Sequence, residues 1–271
     1  DGSVDYTQTF TYNAAGDVTG ITQENSDGTS QITTLDPATG EVESVQGLKR
    51  DGSVDYTQTF TYNAAGDVTG ITQENSDGTS QITTLDPATG EVESVQGLKR
   101  DGSIDYTQTF AYNAAGDVTG ITQENSDGTS QITTLDPATG EVESVQGLKR
   151  DGSVDYTQTF AYNAAGDVTG ITQENSDGTS QITTLDPATG EVESVQGLKR
   201  DGSVDYTQTF TYNAAGDVTG ITQENSDGTS QITTLDPATG EVESVQGLKR
   251  DGSVDYTQTF TYNAAGDVTG I

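Results

Sequence analysis

Taken by parity, the stretch Val4–Tyr12 places Val4, Tyr6, Gln8, Phe10 and Tyr12 on one side and Asp5, Thr7, Thr9 and Thr11 on the other. Alternation of this kind, in a run rich in aromatic and β-branched residues, predicts a half-buried β-strand with the first set inward. Three further runs follow, about Asp17–Glu24, Thr29–Leu35 and Glu41–Leu48. Their apolar residues (Val18 and Ile21; Ile32 and Leu35; Val42, Val45 and Leu48) recur at a step of three. That step fits neither a flat strand nor a sustained helix, and Gly, Pro, Asn and Thr are too frequent for helix. It predicts strands that bulge mid-length and turn side chains from one face to the other. Four turn signals separate the runs: Asn13–Asp17 with Gly16, Asn25–Gly28, Asp36–Gly40 with Pro37, and Arg50–Gly52. The Asp27-Gly28 pair favours a tight primed hairpin turn.

This pattern is written five times. Units 1–50, 51–100, 101–150, 151–200 and 201–250 are followed by a partial copy, 251–271, and only two unit positions vary. Ala111 and Ala161 replace Thr on the outward parity, and Ile104 replaces Val on the inward one. A period of this length is the mark of solenoids, propellers or arrays. The expected fold is all-β: tandem 50-residue repeats of about four strands, wound into a β-superhelix, solenoid or tube. Four strands in 50 residues also describe a β-propeller blade, which is the alternative. The chain is expected to be one repeat array over 1–271. Standard units at both ends predict a segment of a longer chain, or ends completed by neighbours.

Two stretches of each unit resemble the YD repeat of the RHS family. Tyr12-Asn13-Ala14-Ala15-Gly16-Asp17-Val18-Thr19-Gly20-Ile21-Thr22 followed by Asp27-Gly28 is similar to the Tyr-Asp-x-x-Gly-x-Leu-Thr-x-Val-Thr…Gly pattern. Leu35–Val45 followed by Asp51-Gly52 is similar to a second copy, one residue longer. Asn13 stands where the family has Asp, Leu35 where it has Tyr, and Asp17 and Glu41 where a basic residue is common. The resemblance implies β-hairpins winding into a spiral sheet, a shell or stalk without an active site of its own. In that family, divergent repeats and cap domains close the shell around a cargo. Identical units carry no closing instruction; related by one fixed operation they propagate as a helix, and as an open filament if the rotation does not close.

Composition sharpens this reading. Apolar residues make up 30% of the chain, too few for a thick core. Each unit is expected to bury about eleven larger apolar residues against itself and its neighbours: Val4, Tyr6, Phe10, Tyr12, Val18, Ile21, Ile32, Leu35, Val42, Val45 and Leu48. Gln8 on the inward parity is expected to meet an amide or carbonyl across the unit border. The net charge is −33, from 43 acids and 10 bases. Such a field repels nucleic acid and anionic lipid, keeps a long polymer soluble, and would condense divalent cations on the surface. No membrane-inserting stretch is visible. Cys, Met, Trp and His are absent, so disulfides, thiolate sites and imidazole chemistry are excluded. The lack of oxidisable side chains fits an extracellular or cell-surface material.

Candidate chemistry is thin. Glu41 and Glu43 share a parity, with Asp36 and Asp17 near turns, and could be imagined as paired catalytic carboxylates. Solvated acids on an exposed face account for them more simply. Asp27 and Asp36 offer the hard oxygen ligands that Ca²⁺ prefers, but the EF-hand and β-roll spacings are missing and Asx turns explain both residues. The Thr7, Thr9 and Thr11 row reads as cross-strand pairing rather than an ice-binding array. Tyr6, Phe10 and Tyr12 read as core rather than a sugar-binding track. Lys49-Arg50 reads as a charge partner for acids of the adjoining strand rather than a processing site. No residue is assigned to catalysis, a cofactor or a metal. The expected protein is a non-catalytic structural element that associates with itself in an extracellular filament, stalk or coat, with an RHS-type cargo shell and a propeller binding module as alternatives.

Overall fold

The computed structural model describes residues 5–271; Val4 lies outside them. All elements are strands. The first repeat forms β1 (Tyr6–Tyr12), β2 (Val18–Asn25), β3 (Ser30–Leu35) and β4 (Val42–Leu48). The second forms β5 (Val54–Tyr62), β6 (Val68–Asn75), β7 (Ser80–Leu85) and β8 (Val92–Leu98), and the third opens with β9 (Ile104–Tyr112), β10 (Val118–Asn125) and β11 (Ser130–Leu135). The same four recur as β12 (Val142–Leu148) through β20 (Val242–Leu248), followed by β21 (Val254–Thr259) and the short pair β22 (Thr261–Tyr262) and β23 (Val268–Gly270). The chain divides into two compact units, Asp1–Ile132 with Pro137–Gly140 and Thr133–Asp136 with Glu141–Ile271.

Within each unit every strand pairs antiparallel with its sequence neighbour. In the first this runs from β1 to β10. In the second it runs from β12 to β21. The ladder does not stop at repeat borders: β4 pairs with β5 and β8 with β9. Propeller blades would be separate four-stranded sheets, so the strand order is that of a repeat solenoid and not of blades.

The step of three has its expected cause, with one surprise. Thr61 faces Gly70 while Tyr62 faces Val68, leaving Thr69 as an extra residue in β6. Thr84 faces Ser94 while Leu85 faces Val92, leaving Glu93 extra in β8. These bulges keep Val68 with Ile71, and Val92 with Val95, on one face. The third irregularity falls where alternation looked clean: Gly47 faces Tyr56 while Leu48 faces Val54, leaving Asp55 extra in β5. That bulge moves the fourth unit position off the aromatic face. Val54, Val154 and Val204 are 40% exposed and Ile104 47%, which corrects the inward placement read for Ile104 and its equivalents.

Cross-strand partners share a face, so the register sorts every side chain. One face carries Tyr56, Gln58, Phe60 and Tyr62, then Val68, Ile71 and Gln73, Gln81, Thr83 and Leu85, and Val92, Val95 and Gly97. Ile82 pairs with Thr72 and Gln96, and Leu98 with Ser80 and Ile104, so both point to the opposite, threonine-rich face. The expectation that Ile32 and Leu48 join a single core is therefore corrected. β7 has no bulge against β6, and an unbulged strand sends residues three apart to opposite faces.

No apolar side chain is fully buried among the described residues. Among the described residues the one buried position of each full repeat is a glycine: Gly47, Gly97, Gly147, Gly197 and Gly247. Burial depends on the neighbouring repeat. Phe10 is 47% and Tyr12 61% exposed, whereas Phe60 and Tyr62, flanked by β4, are half-buried. The Tyr62 hydroxyl donates to the Val42 carbonyl of the preceding repeat at 2.9 Å.

The loops follow one recipe. In the Asn25 loop, Asn25 N–H donates to Thr29 O and Gly28 N–H to Asn25 O, with Gly28 at φ 87°. Among the described residues no non-glycine has positive φ, so this is a three-residue loop closed by a left-handed glycine, not the two-residue primed turn expected from Asp-Gly. The loops after Asn13 and Lys49 bond in the same way, whereas the Asp36 loop is one residue longer, with Gly40 N–H donating to Asp36 O. The two halves of the 50-residue unit thus share one design. Each has a loop, a bulge three residues past its glycine (Thr19, Glu43), and a three-residue loop at the opposite rim.

Candidate functional site

The loops fall on two rims of the sheet. Asn13–Asp17 and Asp36–Glu41 form one rim, and Asn25–Thr29 and Lys49–Ser53 the other. The ten bases of the chain all occupy positions 49 and 50 of a repeat, so every cation lies on the second rim. The first rim carries Asp17, Asp36 and Glu41 with no base among them.

The most built feature sits beside the second rim. A shallow hollow of about 370 Å³ opens between the Asn25 and Lys49 loops, with Tyr56 and Gly47 in its wall. Equivalent hollows of about 420, 390 and 270 Å³ recur at Tyr106, Tyr206 and Tyr256. A Cβ on Gly47 would collide with the ring of Tyr56. The aromatic side chain thus covers a glycine on the facing strand, a pairing that pins strand register. The Gln31 amide donates to the Tyr56 hydroxyl at 3.2 Å.

Polar groups along this hollow are already engaged. Lys49 donates to Ser76 Oγ at 2.9 Å and forms an ion pair with Asp55 at 3.4 Å. Arg50 Nε donates to the Asp27 carbonyl at 2.7 Å, and its aliphatic stem covers Gly28. Adjacent loops are therefore stapled in both directions along the rim. The acid of the adjoining strand expected for Lys49-Arg50 is Asp55, met by Lys49 alone, while Arg50 takes a backbone oxygen. Gln58 donates to Gln73 Oε1 at 2.9 Å, and Gln73 to Asn75 Oδ1 at 2.8 Å. Gln8 likewise donates to Gln23 at 3.0 Å. Its partner is an amide, as expected, but in the same repeat and not across the border.

The candidate acids do not converge. Asp27 and Asp36 sit at opposite ends of β3, separated by roughly 20 Å of extended strand, so they cannot share a cation. Asp27 Oδ1 accepts the Thr29 amide and hydroxyl, and Asp36 Oδ1 accepts the Ala38 amide. Among the described residues no group of three or more acids is arranged to hold a metal. Glu41 is half-buried in a loop, where its carboxylate accepts from the Thr39 hydroxyl, whereas Glu43 is the exposed bulge residue. The shared face read for them is therefore corrected by the bulge. The Thr79 hydroxyl and then the Thr79 N–H hold Asp77 below the ordinary aspartate range, with a smaller contribution from Arg100. Ser103 does the same for Asp101. Carboxylates lowered in this way stay ionised and do not serve as general acids at neutral pH.

Sequence reasoning missed Gly47, because its role appears only when the register puts Tyr56 opposite. The dipeptide Lys49-Arg50 was visible, but not the two carbonyl and hydroxyl partners that come from other hairpins.

No protein-family model matches the chain, and no curated protein matches it. Among solved structures, it is similar to a chain of the Photorhabdus luminescens Tc holotoxin pore, at 13% identity and TM-score 0.40, over 97% of this chain and 17% of that one. It is also similar to a TcdB2–TccC3 chain, at 18% identity and TM-score 0.40, over 98% of this chain and 15% of that one. A porin-like protein from Bacteroides uniformis aligns at 13% identity and TM-score 0.25, over 94% and 92%. The chain spans about a sixth of the toxin chains it resembles.

Proposed function

We propose that this chain is a non-catalytic structural repeat that builds an extracellular filament, stalk or surface coat and whose principal partner is itself. One observation carries the reading. The pairing of β4 with β5 and of β8 with β9 continues the ladder across repeat borders in one register, so each identical unit offers the next an identical docking strand. Units related by one repeated operation add without an inherent stop. The engaged side chains of the hollows and the low-lying turn aspartates support a cohesive role over a chemical one. A second reading, an RHS-type shell around a cargo, is favoured by the YD resemblance. Both YD-like stretches coincide with a loop-and-bulge hairpin of the same design, including the one-residue length difference.

Electron microscopy of the purified chain at physiological salt tests the choice. Filaments of constant width with an axial period assignable to the 50-residue unit are expected. Closed shells would replace the filament with the cargo-enclosing reading, and discrete small particles with no assembly would overturn both.

A further inference from the structure

The strand-paired positions of the aromatic face carry no charge in a chain of net charge −33, and Lys49, Arg50 and Asp55 border it at the second rim. Its paired positions in one repeat are Tyr, Phe, Val, Ile, Leu, Gln, Asn, Thr and Gly only, while the acids fall on loops, on bulges or, as Glu74, on the other face. Yet among the described residues each strand makes its main contacts with its sequence neighbours in the sheet, and no apolar residue is fully buried. A folded chain of this mass ordinarily exposes about 11,000 Å², whereas this one exposes 15997 Å². We propose that a second copy of this chain covers the face, sheet against sheet, as a two-fold β-sandwich. This proposal rests on the self-associating reading above and specifies its geometry.

Three observations select a second copy. First, the 50-residue period makes two copies commensurate, so a contact satisfied at one repeat is satisfied at all. Second, ten strands about 4.8 Å apart and about 20 Å long present on the order of 1,000 Å² per partner, more than the roughly 800 Å² per partner of a stable complex. Third, the rims differ in charge: one carries Asp17, Asp36 and Glu41 with no base, whereas on the other Lys49 and Arg50 balance Asp27 and Asp51. A two-fold axis lying between the sheets and running across the strands sets the rim of Lys49 and Arg50 over the partner's rim of Asp17, Asp36 and Glu41. The same axis brings residues near mid-strand opposite their own copies.

The absence of cysteine makes a direct test clean. Thr83 lies on the aromatic face and is half-buried, while its neighbour Thr84 lies on the opposite face and is exposed. Packed sheets are about 10 Å apart, too far for a disulfide, so a short bis-maleimide is the probe. In the full chain, Thr83→Cys is expected to cross-link to a dimer at several-fold higher yield than Thr84→Cys, at a solution mass of twice 28.3 kDa or a higher even multiple. Thr183→Cys against Thr184→Cys repeats the comparison in the second unit, should the first substitution disturb folding. Self-association with equal yields from the two positions would overturn the sandwich and leave self-association standing. A mass of 28.3 kDa at every concentration would overturn both.

Discussion

Gly97 and Tyr106 act as one piece. The ring fills the space that any side chain at position 97 would need, and the tyrosine hydroxyl accepts from Gln81 at 3.2 Å. Gly97→Val adds three carbons beneath that ring and forces Tyr106 away. Overpacking of this kind costs about 1–3 kcal/mol, so the free energy of unfolding should fall by that amount. Thr109→Val, on the exposed face of the neighbouring strand, should stay within about 0.5 kcal/mol. Equal effects in chemical denaturation would show that the glycine carries no special constraint. Gly97 was invisible as a key residue in the sequence, where it is one of 33 glycines. Tyr106, by contrast, was legible as inward-facing from alternation alone.

The loops are closed by side-chain caps that titrate. Asp27, Asp51, Asp77, Asp101, Asp151, Asp177, Asp201, Asp227 and Asp251 are all held low by Thr or Ser two residues on. A carboxylate whose pKa is lower in the folded chain contributes stability above its unfolded value, near pH 4, and loses it as pH falls through the folded value. The thermal midpoint, measured at high salt to screen the remaining charges, should therefore drop steadily below about pH 4. A midpoint that is flat or rising toward pH 2 would sink this account. Asp77→Asn keeps an oxygen acceptor without a titrating proton and should lessen the drop. These turns were legible because their cause is local: an Asx or hydroxyl acceptor followed by a glycine able to take positive φ.

At the scale of the whole molecule, charge opposes the contacts that hold the sheet. Acids outnumber bases 43 to ten, and the loops of the first rim, with Asp17, Asp36 and Glu41, set like charges beside one another. At 0.01 M salt the screening length is about 30 Å, and at 0.15 M about 8 Å. Raising sodium chloride across that range should increase the melting temperature by several degrees. A decrease would mean that the stapling ion pairs, such as Lys49–Asp55 at 3.4 Å, outweigh the general repulsion. Exposed pairs of that kind contribute about 1 kcal/mol or less, so the increase is the expected sign.

The sequence by itself determined the period, the four strands per repeat, the places where the chain turns and the existence of bulges in the second and fourth strands, while the bulge it predicted in the third strand is not formed. All of these follow from short-range rules of alternation, glycine and proline geometry, and self-similarity. Only the tertiary structure decided which face each apolar residue takes. Strand parity is conserved until a bulge breaks it, and the position of a bulge is a property of two paired strands, not of one. Asp55 is the extra residue because Gly47 and Leu48 take Tyr56 and Val54 as partners. That pairing puts Val54 with Leu48 on the threonine face, and the unbulged pairing of β7 with β6 puts Ile82 there too.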